Sequence, residues 1–75
     1  DELYRMLYET LDKLPENYRT VFMKSFFEGK THVEIAEEMN LSVKSINRYK
    51  QKTMELLRNE LKDYLPLLLL LIYRT

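Results

Sequence analysis

A chain of 75 residues holds one small domain, which buries only roughly 60% of its unfolded surface and so needs a compact core. With 45% apolar residues, one Gly and two Pro, the composition excludes collagen-like and disordered classes, and its stock of Leu, Glu, Lys, Arg and Met favours helices. The 12 basic and 12 acidic side chains cancel, which argues against a uniformly basic nucleic-acid binder, and the lack of cysteine rules out disulfides and thiolate metal sites and suits a reducing cytoplasm.

Leu3, Leu7, Leu11 and Leu14 recur at helical spacing with Met6 between them, predicting a first amphipathic helix over about residues 2–13. Pro15 suits the first position of a second helix, with Glu16 in its positive first turn. Tyr18, Val21, Phe22, Ser25 and Phe26 make that helix's core face, and Phe27 is the aromatic most expected outside. Gly29 ends it, because the terminating residue usually takes φ > 0.

Thr31 and Glu34 form a T-x-x-E capping box for a third helix over residues 32–39, with Val33, Ile35, Ala36 and Met39 available for burial. Asn40 stops it in the left-handed region that Asn tolerates. Leu41 is an apolar plug, and Ser42 caps a long fourth helix from Val43 to about Asp63. Its inward stripe reads Ile46, Tyr49, Thr53, Leu57 (with Leu56), Leu61 and Tyr64; the opposite face near its start carries Lys44, Asn47, Arg48 and Gln51. Pro66 ends or kinks the helix and biases Leu65 away from helical geometry.

The chain opens at Asp1 with a helical pattern already under way, so it reads as a piece of a longer protein, with no signal peptide pattern. The division expected is a helical domain over 1–64 and a leucine-rich tail over 65–75. The run from Leu67 to Tyr73 is far short of the roughly 20 residues of a membrane-spanning helix. As a helix it would be apolar all round, which predicts a partner surface and, for this chain by itself, self-association through Leu67–Ile72.

Helices three and four have the spacing of a helix-turn-helix. Such a pair crosses tightly, so a small residue is needed at the contact, and Ala36 supplies it. Ile35, Leu41 and Ile46 hold the angle, and the second helix projects its first side chains at base edges. From Val43 to Met54 the cations are Lys44, Arg48, Lys50 and Lys52, with no carboxylate among them, so a neutral chain still presents one basic stripe. Lys44 and Arg48 suit guanine acceptors, and Asn47 and Gln51 suit adenine. The expected base-edge set is Lys44, Ser45, Asn47, Arg48 and Gln51. The expected phosphate set is Arg19, Lys30, Thr31, Ser42 and Lys52.

The stretch L-P-E-N-Y-R-T-V-F-M-K-S-F-F-E-G-K-T-H-V-E-I-A-E-E-M-N-L-S-V-K-S-I resembles region 4 of bacterial RNA polymerase sigma factors, nearest to the extracytoplasmic-function class. The ending L-K-D-Y-L-P-L-L-L-L-L resembles a tail of such factors from the Bacteroidetes. The resemblance implies that Ser42–Lys52 reads the minus-35 promoter element and that Leu14–Gly29 faces the flap of core RNA polymerase. An anti-sigma factor is a further partner it implies. Lys50 stands where these factors usually have an apolar residue, so it is expected to snorkel along the core edge. Asn47 and Tyr49 occupy positions often basic in the family, so a different promoter sequence is expected.

Other clusters carry less. His32 is the only histidine and has no catalytic or metal partners in the pattern, so a solvent-facing or phosphate-touching role is expected. Glu34, Glu37 and Glu38 lack the loop spacing of a cation site. The reading is an all-α domain of four main helices containing a helix-turn-helix, non-enzymatic, without metal or cofactor, acting on promoter DNA. Two rivals share parts of the pattern: the effector domain of a response-regulator or quorum-type factor, which usually has Thr where Pro15 stands, and a helical adaptor that binds protein alone.

Overall fold

The structure is a computed structural model and describes residues 2–64 and 66. Four α-helices run in chain order: α1 (Glu2–Leu11), α2 (Glu16–Phe22), α3 (His32–Met39) and α4 (Val43–Glu60). No strand occurs among the described residues. The expected tail over 65–75, and with it self-association through Leu67–Ile72, lies outside the described residues apart from Pro66.

Pro15 is the N-cap of α2 rather than its first helical residue, and α2 does not continue as one α-helix to Gly29. After Phe22 the chain widens into a π-helical turn over Met23–Phe27, in which the Glu28 amide donates to the Met23 carbonyl five residues back at 3.2 Å. Gly29, at φ 67, then turns the chain, and the Lys30 amide donates to the Lys24 carbonyl at 3.0 Å. The widened turn sets Phe22 against Phe26 with ring centroids 4.6 Å apart and leaves Phe27 outside, stacked on Tyr8 at 6.2 Å.

The core has two parts, both built on α4. Leu7 and Leu11 of α1 meet Phe22, Leu57 and Leu61, with Leu3, Leu14, Phe26 and Met54 packed around them. Val21 meets Ile35, Ala36 and Ile46, with Met39, Leu41 and Tyr49 at the margin. Tyr18 lies over Tyr49 at 4.7 Å and ties α2 to α4. Thr53 is fully buried on the same stripe, and its hydroxyl donates to the Tyr49 carbonyl at 2.9 Å, which satisfies a group that would otherwise be stranded. α4 ends at Glu60, earlier than expected; Leu61 caps it and a 3₁₀ turn follows over Lys62–Tyr64.

Candidate nucleic-acid interface

The turn between α3 and α4 follows from local chemistry. The Thr31 hydroxyl accepts from the Glu34 amide at 3.2 Å while the Glu34 carboxylate accepts from the Thr31 amide at 2.8 Å, closing both halves of the capping box. The Thr31 amide first, and the Thr31 side chain second, hold the Glu34 carboxyl below its ordinary pKa. At the other end Asn40 takes φ 55, and the Leu41 amide donates to the Ala36 carbonyl at 3.0 Å. Ser42 then caps α4, its hydroxyl accepting from the Ser45 amide at 3.1 Å. Leu41 before the cap and Ile46 on α4 belong to one cluster, the arrangement of a hydrophobic staple.

Ala36 is 7% exposed where α3 meets α2 and α4, with Val21, Ile35 and Ile46 as its cluster partners. A larger side chain there would force the helices apart. The crossing is thereby fixed, and α4 presents its first turns outward. Lys44, Asn47, Arg48, Gln51 and Lys52 are all exposed on them. The Arg48 guanidinium lies 5.6 Å from the Tyr49 ring centroid, a cation–π contact at the head of its side chain. Ser45 is half-buried and shares a 3.0 Å hydroxyl–hydroxyl bond with Ser42, so both serines are engaged at the cap.

The remaining expected phosphate contacts are not gathered on this face. Arg19 reaches the Leu14 carbonyl at 3.4 Å and lines a second groove of about 380 Å³ with Tyr8, Leu11, Asp12 and Met23. Lys30 pairs with Glu38 and Glu28, and its neighbour Lys24 reaches Glu38 at 2.7 Å. The two lysines hold the Glu38 carboxyl below its usual range. Thr31 is exposed at the start of α3 with its hydroxyl in the capping box.

Two placements were not legible in the sequence. Val33, read as available for burial, is 56% exposed, because about 200° of helix separates it from Ile35 on the buried side of α3. His32 is half-buried rather than open to solvent: Lys50 Nζ stands 3.4 Å from its Nε2. An ammonium only donates, so a hydrogen bond here requires Nε2 to accept, which a neutral imidazole protonated on Nδ1 can do. Burial first and the Lys50 charge second push the His32 pKa down. Lys50 Nζ also lies 4.8 Å from the Phe26 ring centroid. An open groove of about 500 Å³ runs beside this pair, between His32 and the α4 side chains Asn47, Gln51, Met54, Glu55 and Arg58.

Among the described residues no helix is long and apolar enough to cross a membrane, and no group of His, Asp and Glu side chains is placed to hold a metal ion. The family model described as "Sigma-70, region 4" matches residues 4–57. Two curated relatives, each named "RNA polymerase sigma factor SigF", come from Mycobacterium tuberculosis strains CDC 1551 / Oshkosh and ATCC 25618 / H37Rv. Each is 36% identical over 52 residues, covering 69% of this chain and 20% of the relative. The chain thus spans about one fifth of the length of the curated relatives it matches. No solved structure matches significantly.

Proposed function

The chain belongs to the sigma-70 region 4 family, and from that premise we propose that it recognises the minus-35 promoter element as the C-terminal DNA-binding domain of a sigma factor in transcription initiation. The observation that carries this reading is the exposed set Lys44, Asn47, Arg48, Gln51 and Lys52 on the first turns of a helix packed against α3. Cations along that face meet phosphates and guanine, and the two amides suit adenine. Lys44, Ser45, Asn47, Arg48 and Gln51 form the proposed base-edge set, with Ser45 contributing from the edge of its cap. Ser42 and Lys52 meet phosphates beside them, while Arg19, Lys30 and Thr31 are outlying phosphate contacts.

Family membership favours this reading over a response-regulator effector or a protein-only adaptor. The extracytoplasmic-function class, a cytoplasmic setting, an anti-sigma factor and self-association through Leu67–Ile72 belong to the same proposal and rest on the sequence. Leu14–Gly29 is the proposed polymerase-facing surface. It contributes Arg19, Thr20, Met23, Lys24 and Glu28 to the second groove, an opening of mixed apolar and charged lining.

Selection of duplexes from a random pool tests the proposal. Enrichment of one short motif, bound more weakly as salt rises, is the expected result. An unenriched pool, or equal binding of motif and scrambled duplex, would overturn it.

A further inference from the structure

Among the described residues the exposed large apolar side chains are Tyr8, Phe27, Val33 and Val43. Tyr8 and Phe27 stack on each other. Val43 is different: it is 44% exposed at the first position of α4, beside the base-edge set, and belongs to neither core cluster. Residues four apart on a helix lie about 40° apart, so the outward face of α4 divides into two parallel ridges. Lys44, Arg48 and Lys52 make a cationic ridge, and Val43, Asn47 and Gln51 make an uncharged one. The uncharged ridge borders the groove beside His32, since Asn47 and Gln51 both line it.

The two ridges differ in what they can read. The cationic ridge is matched to phosphate and to guanine acceptors. The uncharged ridge holds two amides, whose bidentate partner in the major groove is adenine, and one apolar side chain. The apolar feature of the major groove is the thymine C5-methyl group. We propose, on the footing of the DNA-binding reading above, that Val43 is a specificity-determining residue that packs on a thymine methyl, with Asn47 one turn further along the same ridge reading a neighbouring adenine. The uncharged ridge thereby selects an A·T-containing step, while the cationic ridge supplies affinity.

The test leaves the fold untouched, because the change is made in the DNA. Each thymine of the selected duplex is replaced in turn by uracil, which removes only the C5-methyl, and binding to the full 75-residue chain is measured. One position is expected to lose about fourfold in affinity, the equivalent of about 0.8 kcal/mol for one buried methyl. Val43→Ala is expected to bind the thymine duplex about as weakly as the wild type binds the uracil duplex, and to bind both duplexes alike. Val33→Ala, an exposed valine on α3, is expected to keep the thymine preference. Indifference of the wild-type chain to every uracil, or a Val43→Ala chain that still prefers thymine, would overturn the role of Val43 while selective binding itself stood. Absence of any sequence preference would overturn the DNA-binding reading and this inference with it.

Discussion

Lys50 Nζ stands 3.4 Å from Nε2 of His32, joining two residues 18 positions apart at the seam between α3 and α4. A hydrogen bond from the Lys50 ammonium requires a neutral imidazole with Nε2 accepting. In the folded chain the His32 pKa lies below the ordinary value of about 6.5, through burial and then the Lys50 charge. Between the lowered value and about 6.5 the unfolded chain binds more protons than the folded one. Stability is therefore expected to fall as pH drops through that window and to be insensitive to His32 above it. A titration of the His32 ring by NMR checks this. Lys50→Gln should raise the His32 pKa while leaving it below 6.5, since burial is the larger cause. An unshifted His32 in the wild-type chain would remove the contact.

Ala36 sets the helix crossing. Ala36→Leu places extra methylene groups where Val21, Ile35 and Ile46 already meet, and is expected to destabilise the chain by about 1–3 kcal/mol. Denaturant unfolding measures it. An unchanged midpoint together with unchanged DNA binding would place Ala36 outside the crossing.

Thr31 closes the start of α3. Thr31→Ala removes the hydroxyl but keeps the backbone amide, and is expected to destabilise by about 1 kcal/mol. The Glu34 pKa should rise only in part, because the Thr31 amide, the larger cause of its lowering, still donates to the carboxylate. With Thr31 in place, the Glu34 contribution is present above the ordinary carboxylate pKa and lost as pH falls through the lowered one. The stability difference between the wild-type and Thr31→Ala chains, measured by unfolding across pH, should therefore narrow at low pH without vanishing, because the bond from the Glu34 amide to the Thr31 hydroxyl does not titrate.

Arg48 and Lys52 lie on one ridge of α4 with different expected duties. Arg48→Ala should cost about 1–3 kcal/mol on the selected duplex and relax preference at one or two base pairs. Lys52→Ala should weaken all duplexes alike and reduce the log–log salt slope by about 0.9, the share of one phosphate. Binding curves on matched and scrambled duplexes at several salt concentrations separate the two. Identical behaviour of the variants would contradict this division of the face.

The features legible in the sequence were those whose cause is local. Thr31 with Glu34, Asn40, and Ser42 each meet their partners within a few residues, and the structure has the third helix over the expected residues. Ala36 was legible because a tight crossing admits only a small side chain. The π-helical turn over Met23–Phe27 was not, because one extra residue in a single turn hardly changes an apolar pattern read at 3.6 residues per turn. Nor was the His32–Lys50 contact, which depends on how two distant helices cross. Val33 shows the converse: an apolar residue counted toward the core by type is outside it by helical angle. At the site, the outward face of α4 was legible from charge and spacing. The engagement of Lys30 by Glu38 and Glu28, and of Arg19 by the Leu14 carbonyl, required the fold.

Recognition of DNA through the first turns of α4 is tested most directly by following the backbone amides of the chain by NMR while the selected duplex is added. The expected result is a set of shifts concentrated on Val43, Lys44, Asn47, Arg48, Gln51 and Lys52, absent with an unrelated duplex at the same salt. Shifts centred instead on α1 and the Tyr8–Phe27 pair, or spread evenly for both duplexes, would contradict it.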